Sequence, residues 1–129
     1  MIEVAAAIIE NEQGQILIAR RKKEKSQGGL WEFPGGKLEP DESVEACLKR
    51  ELREEMNIEI QPYESFGVNE HDYGSVHIRL FAYKATFVRG EIVLVDHDRV
   101  EWVRPEELKT YEFAPADVKF VEMLMLERE

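Results

Sequence analysis

Glu51, Glu54 and Glu55 stand three and four positions apart in the run Glu51-Leu52-Arg53-Glu54-Glu55. On an α-helix such positions are neighbours, so three carboxylates share one turn. Like charges at that spacing cost a bare helix roughly a few tenths of a kcal/mol. A hard divalent cation, Mg²⁺ or Mn²⁺, turns the repulsion into coordination, because such ions take carboxylate oxygens. A solvated helix face is the other reading of an acidic triplet. Helix geometry argues against it here. At about 100° per residue, Glu51 and Glu55 fall within roughly 40° of Val44 and Leu48, the residues that must point at the core. Arg50 can reach Glu54 at i+4 and hold it in place.

The chain before this helix has its own chemistry. Gly35 and Gly36 allow close backbone approach, and a loop feeding a helix N-terminus can present backbone groups to an anion or a metal. Pro34-Gly35-Gly36 also reads as a plain turn. Lys37, just beyond, can act as a point charge on phosphate.

These residues need a scaffold. The segment from Glu42 to Met56 has no internal Gly or Pro, and Asp41 or Ser43 can cap it. Asn57 stands where the helix must stop, and Asn tolerates the left-handed cap conformation. Val4 to Ile9 reads as a buried strand. It forms a hairpin through Asn11-Glu12-Gln13-Gly14 with a strand from Gln15 to Arg20, which has Ile16 and Ile18 on one face and Leu17 on the other. Leu30 to Phe33 is a short apolar run that Pro34-Gly35-Gly36 ends. Pro62 to Asp72 is connecting chain with weak strand character. Val76 to Val88 and Arg99 to Val103 read as strands, and Pro105 to Leu108 as a helical turn. Ala116 to Arg128 reads as a helix with Val118, Val121, Leu124 and Met125 as its apolar stripe. Strands and helices mix without a strict βαβ rhythm, which favours an α/β fold, a mixed sheet covered by helices.

The 129 residues suit one domain, 1–129. No apolar run approaches the ~20 residues of a membrane helix, and Met1 to Ile9 lacks the basic start of a secretory signal. Cys47, the sole cysteine, cannot form an internal disulfide, and no Cys/His cluster suits zinc. A reducing cytoplasm is the expected compartment. The net charge of −10 argues against stable nucleic-acid binding. It leaves phosphate substrates open, provided divalent cations sit between carboxylate and phosphate.

The central segment resembles the Nudix box: Gly36, Glu42, Arg50, Glu51, Leu52, Glu54, Glu55 and Ile58 fill it in register. Asn57 replaces the family's Gly, at an expected small stability cost. Outside the box, Val4 to Ile9, Leu17 to Arg21, Gly29 to Lys37, Glu101-Trp102 and Ala114 to Asp117 resemble the MutT-type subgroup. The resemblance implies an α/β/α sandwich around a mixed sheet. It implies a Mg²⁺- or Mn²⁺-dependent hydrolysis of a nucleoside triphosphate to monophosphate and pyrophosphate. It also implies that Glu51, Glu54, Glu55, Glu101 and the Gly35 carbonyl bind metal, with Glu51 or Glu101 as general base and Arg50 supporting them. Arg21 and Lys37 would contact phosphates.

Phe33 resembles a residue of the family's base pocket; a core aromatic is the alternative. Asp117 would read the base or merely cap the last helix. As a carboxylate it accepts from an amino group such as cytosine N4. Asp there, with Gly-Leu-Trp-Glu-Phe, resembles the branch that takes CTP, 5-substituted dCTP and oxidised purine nucleotides. Rival readings are another Nudix substrate (a dinucleoside polyphosphate, for which Tyr73 speaks, ADP-ribose or a capped RNA end) and a non-catalytic nucleotide sensor. The full set of box glutamates argues against the sensor. A monomer or homodimer is expected.

Overall fold

The computed structural model describes residues 1–127. Residue Arg128 of the expected last helix lies outside them. Seven strands and two α-helices follow in the order β1 (Ile2–Glu10), β2 (Ile16–Arg21), β3 (Trp31–Glu32), β4 (Gly35–Lys37), α1 (Val44–Met56), β5 (Glu59–Asp72), β6 (His77–Arg89), β7 (His97–Val103) and α2 (Pro115–Glu127). A 3₁₀ turn, Pro105–Thr110, separates the last two.

The strands form one mixed sheet in the order β3-β2-β1-β6-β5, with β4 on β1 and β7 on β2. Only β1 and β6 run parallel among these pairs. β1 is apolar on both faces because both are covered. Ala6 and Ile8 belong to a core under α2, and Ala5, Ala7 and Ile9 to a second core under α1. Ile16 and Ile18 face α2 while Leu17 faces α1, the alternation read from sequence. The result is the expected α/β/α sandwich.

One edge of β1 is shared. Glu10 pairs with Ile16 of β2, whereas Val4, Ala5 and Ala6 pair with Lys37, Gly36 and Gly35 of β4. β2 therefore leaves β1 after one pair and runs against β7. The chain forks there, and the site lies at the fork.

α1 starts at Ser43, whose hydroxyl accepts from the Ala46 N–H at 3.1 Å. It buries Cys47, Leu48, Leu52 and Met56, each large side chain contributing about 1.5–3 kcal/mol. It stops at Asn57 with φ 59° and ψ 34°, the left-handed cap. Asn57 also does what the family glycine cannot: its Nδ2 donates to the Glu91 carbonyl at 3.1 Å.

Three expectations need correction. Gly35–Lys37 is a strand, not a turn, because β1 offers it a free edge. The stretch expected as connecting chain from Pro62 is part of a fourteen-residue edge strand, bulged near Pro62 and Ser65. Edge position tolerates its Pro and its many polar residues. In α2 the buried face is Ala116, Asp117, Phe120, Val121 and Leu124, and Val118 is 40% exposed.

Candidate active site

α1 aims its acids at the fork, and Arg50 organises two of them. Its Nη1 donates to Glu51 Oε2 at 2.7 Å and to Glu54 Oε1 at 2.9 Å. Its Nε and Nη2 make a bidentate pair with Glu42 at 2.8 and 2.9 Å, and Nη2 reaches the Lys37 carbonyl at 3.2 Å. Arg50 holds Glu42 down to about 2, and Glu42 in turn raises Arg50 further above its ordinary value. Arg50 thus ties the helix to β4 and orients the acids; it is a positioning residue.

Each acid has its own setting. Glu51 packs against Gly36 so closely that a Cβ there would meet its carboxylate. Burial pushes Glu51 up, and Arg50 partly offsets this. The Glu54 side chain is 59% exposed. Glu55 turns inward, and its Oε2 is buried with no hydrogen-bond partner among the described residues. Its carboxyl faces that of Asp96. Burial first, then Asp96, pushes Glu55 up to about 7. The shared hydrogen bond holds Asp96 below the usual carboxylate range. The expectation of three gathered carboxylates needs refinement, since among the described residues no three acidic, His or Cys side chains converge at metal-holding distances. Arg50 stands between two of them, and the third faces Asp96.

Glu101 does not join them. It pairs with Ile18 across β2 and β7, and Ile18 lies in the core under α2. It accepts from Arg99 Nη2 at 2.5 Å, and that guanidinium lies 6.0 Å from the Trp31 ring, also on the α2 side. The flanking pairs Leu17–Trp102 and Ala19–Val100 face α1 instead. Strand alternation therefore puts Glu101 on the side of the sheet away from α1, apart from the three acids of that helix. Asp96 has the place at Glu55, with Lys25 Nζ 3.2 Å from its carboxylate. Glu101→Gln is expected to leave kcat within about threefold. Asp96→Asn is expected to lower it by about tenfold or more. Steady-state rates on one nucleotide decide between them, and a larger loss for Glu101→Gln would reverse the assignment.

On the α2 side a cleft of about 500 Å³ opens at the fork, lined by Arg21, Glu32, Phe33, Gly35, Gly36, Lys37, Tyr73 and Asp117 among others. Gly36 is the shared wall, with the cleft on one side and Glu51 on the other. Arg21 is fixed by its Nε on the Ser26 carbonyl at 3.1 Å. Phe33 is 2% exposed and packs on Phe113 at 5.2 Å, so it is a core aromatic that also lines the cleft. The Tyr73 hydroxyl accepts from the Ala116 N–H at 3.0 Å and so serves the start of α2.

Asp117 does not cap α2, which begins at Pro115. Its Oδ2 accepts from the Phe33 N–H at 2.9 Å, and the second oxygen is left for the cleft. Burial, reinforced by the charge of Glu32, raises its pKa well above the ordinary value. The neutral acid is thereby favoured, and it both donates and accepts. A raised acid contributes stability that is complete below the unfolded value and is lost as pH rises through the folded one. Thermal melts of Asp117→Asn are therefore expected to lose the part of the wild-type decline that sets in above the ordinary carboxylate range. Parallel melting curves across pH would contradict this.

Asp96, His97 and Glu32 escaped the sequence reading as site residues. For Asp96 and His97 the acidic Asp96-His97-Asp98 run was the only signal, whereas Glu32 stood within the Gly-Leu-Trp-Glu-Phe run without being singled out.

A family model described as NUDIX domain matches residues 5–123. The chain is 43% identical to the CTP pyrophosphohydrolase of Escherichia coli (strain K12) over 125 residues, 97% of this chain and 92% of that one. It is 35% identical to the 8-oxo-dGTP diphosphatase of Haemophilus influenzae, covering 98% of this chain and 93% of that one. The crystal structure of the MutT protein from Methanosarcina mazei Go1 superposes with a TM-score of 0.87 at 29% identity, over 99% of this chain and 95% of that one. With box, fold and cleft in agreement, the chain belongs to the Nudix family, in its MutT-type branch.

Proposed function

We propose that the chain hydrolyses a nucleoside triphosphate to the monophosphate and pyrophosphate. Its candidates are CTP- or dCTP-like nucleotides and oxidised deoxynucleotides, which it would remove from the nucleotide pool. One observation carries this reading: a cleft with a buried carboxyl at Asp117 opens onto Gly35–Lys37, and the acids of α1 stand behind that same wall. A base can sit by Asp117 while its phosphates reach Lys37, Arg21 and the acids. The relatives' names, a CTP pyrophosphohydrolase and an 8-oxo-dGTP diphosphatase, support the substrate class.

The donor set suits Mg²⁺ or Mn²⁺. It is made of hard oxygens, one of them the orphaned, buried Oε2 of Glu55. Glu51, Glu54 and Glu55, with Asp96 and the Gly35 backbone beside them, would hold the ion. When bound, a divalent cation lowers the pKa of a water and screens charge developing on the phosphoryl oxygens. The chain does the rest. Arg50 keeps Glu51 and Glu54 oriented, Glu51 is placed to take a proton, and Lys37 and Arg21 neutralise non-bridging oxygens. Asp117 fixes the base, in its neutral form offering a donor and an acceptor. Tyr73, tied to α2, gives no support to a dinucleoside polyphosphate. Among the described residues no helix is long and apolar enough to cross a membrane.

A product-resolved panel tests the reading: normal, oxidised and methylated (deoxy)nucleoside triphosphates, ADP-ribose and dinucleoside polyphosphates, with Mg²⁺ and with chelator. Pyrophosphate from triphosphates, lost on chelation, is the expected result. Turnover confined to ADP-ribose or dinucleoside polyphosphates, or turnover that survives chelation, would overturn it.

A further inference from the structure

His97 is 3% exposed, at the start of β7. It sits opposite Arg21 where the β2–β7 register shifts, and such a bulge re-aims a side chain. Its Nε2 lies 2.8 Å from Glu32 Oε2, and its Nδ1 is buried with no partner among the described residues. A proton on Nδ1 would be a buried donor without an acceptor. The proton therefore sits on Nε2 and points at Glu32.

Glu32 needs that donor. Its strand is two residues long, and its other charged neighbour, Arg21 Nη1, stands 3.6 Å away, too far for a good hydrogen bond. Glu32 lines the cleft with Asp117, and its charge acts on that buried carboxyl. Without the His97 donor, Glu32 would keep its place in that wall only through the longer contact to Arg21.

We propose that His97 is a positioning residue for base selection: it pins Glu32 beside Asp117, so that the cleft meets a base edge carrying N–H donors with two carboxyl groups instead of one. This rests on the reading that the cleft takes the base. The class selected is an amino-bearing base edge, as in cytosine; a keto edge such as that of uracil is disfavoured, because it turns an acceptor toward Glu32. From His97 Nε2 the contacts run to Glu32 by a hydrogen bond and from Glu32 to Arg21, at the cleft, by a longer ion pair.

His97 also follows Asp96, so two roles must be separated. Damage to Asp96 would lower kcat for every nucleotide alike. Release of Glu32 would change the ratio between bases. The full chain and its variants His97→Leu, His97→Asn and His97→Gln are titrated with CMP and UMP, which need no turnover. They are then assayed on CTP and UTP with Mg²⁺. Wild type is expected to prefer the cytosine ligand, and His97→Leu to lose about tenfold of that preference, the worth of one hydrogen bond. The loss falls in Kd and KM, not kcat. His97→Gln, which can place an N–H near the Nε2 position, restores most of the preference, and the shorter His97→Asn does not.

Three results would overturn the proposal: a His97→Leu that keeps the preference, a loss of kcat shared equally by both nucleotides at unchanged KM, or a wild type without preference between CMP and UMP. If His97→Leu does not fold, the contrast between Gln and Asn decides. Absent triphosphate turnover with an intact CMP preference would sink the proposed activity and leave the His97 role standing.

Discussion

Glu55→Gln is expected to abolish turnover, by on the order of 10³-fold or more, and at the same time to raise the melting temperature by a few degrees. The opposite signs share one cause. Glu55 is turned inward, one of its oxygens is unpartnered, and its carboxyl is pushed up to about 7 by burial and by Asp96. The fold thus works against its charge. Because the folded value lies above the ordinary one, stability from this group is complete below about 4.5 and declines as pH rises through about 7. Glutamine carries no charge, so its advantage over wild type grows across that window. A divalent ion needs the charged form, so Mg²⁺ is expected to raise the wild-type melting temperature more at pH 8 than at pH 5, and that of the variant hardly at all. Glu54→Gln provides the control. That side chain is 59% exposed and bonded to Arg50 alone among the described residues, so turnover falls similarly while the melt barely moves. Melting curves with and without Mg²⁺, alongside kcat, check both. A Glu55→Gln variant that melts lower and still turns over would contradict the assignment.

The adjacent glycines are expected to fail in different ways. A Cβ on Gly35 would run into the Ala5 carbonyl in the middle of the sheet. Backbone cannot swing aside, so Gly35→Ala is expected to cost roughly 3 kcal/mol or more, a large share of a domain's stability. A Cβ on Gly36 would meet the Glu51 carboxylate, the far end of a flexible side chain. Gly36→Ala should then fold and melt within a few degrees of wild type, with Glu51 displaced and kcat down about 100-fold. Denaturant unfolding and steady-state kinetics separate the two. Equal loss of stability in both variants would refute the claim that Glu51 rests on Gly36.

How much of this was legible beforehand depended on whether the information was local. α1 could be read because its caps, period and stop lie within its own residues, from Ser43 to Asn57. The alternation of Ile16, Leu17 and Ile18 was equally local. β4 was not legible: Gly35–Lys37 becomes a strand only because β1 leaves that edge open. Nor was β5, whose Glu, Asn and Pro residues are acceptable only at an edge. Within the site, the acids of α1, Arg50 and Asp117 announced themselves through spacing and motif. Glu101 was singled out by its resemblance to the family's outlying acid, and Asp96 was not singled out at all. The choice turns on which face of the sheet carries α1, and that follows from the register of Glu101 against Ile18, a pairing across eighty-odd residues of chain.

Asn57 closes α1 and grips the Glu91 carbonyl, while the Val93 N–H reaches the Met56 carbonyl at 3.0 Å. The helix end is thereby lashed to the stretch that delivers Asp96. An engineer reverting this position to the glycine of the motif, the first change any consensus design would suggest, would be cutting a mooring line and slackening the far shore of the acid cluster.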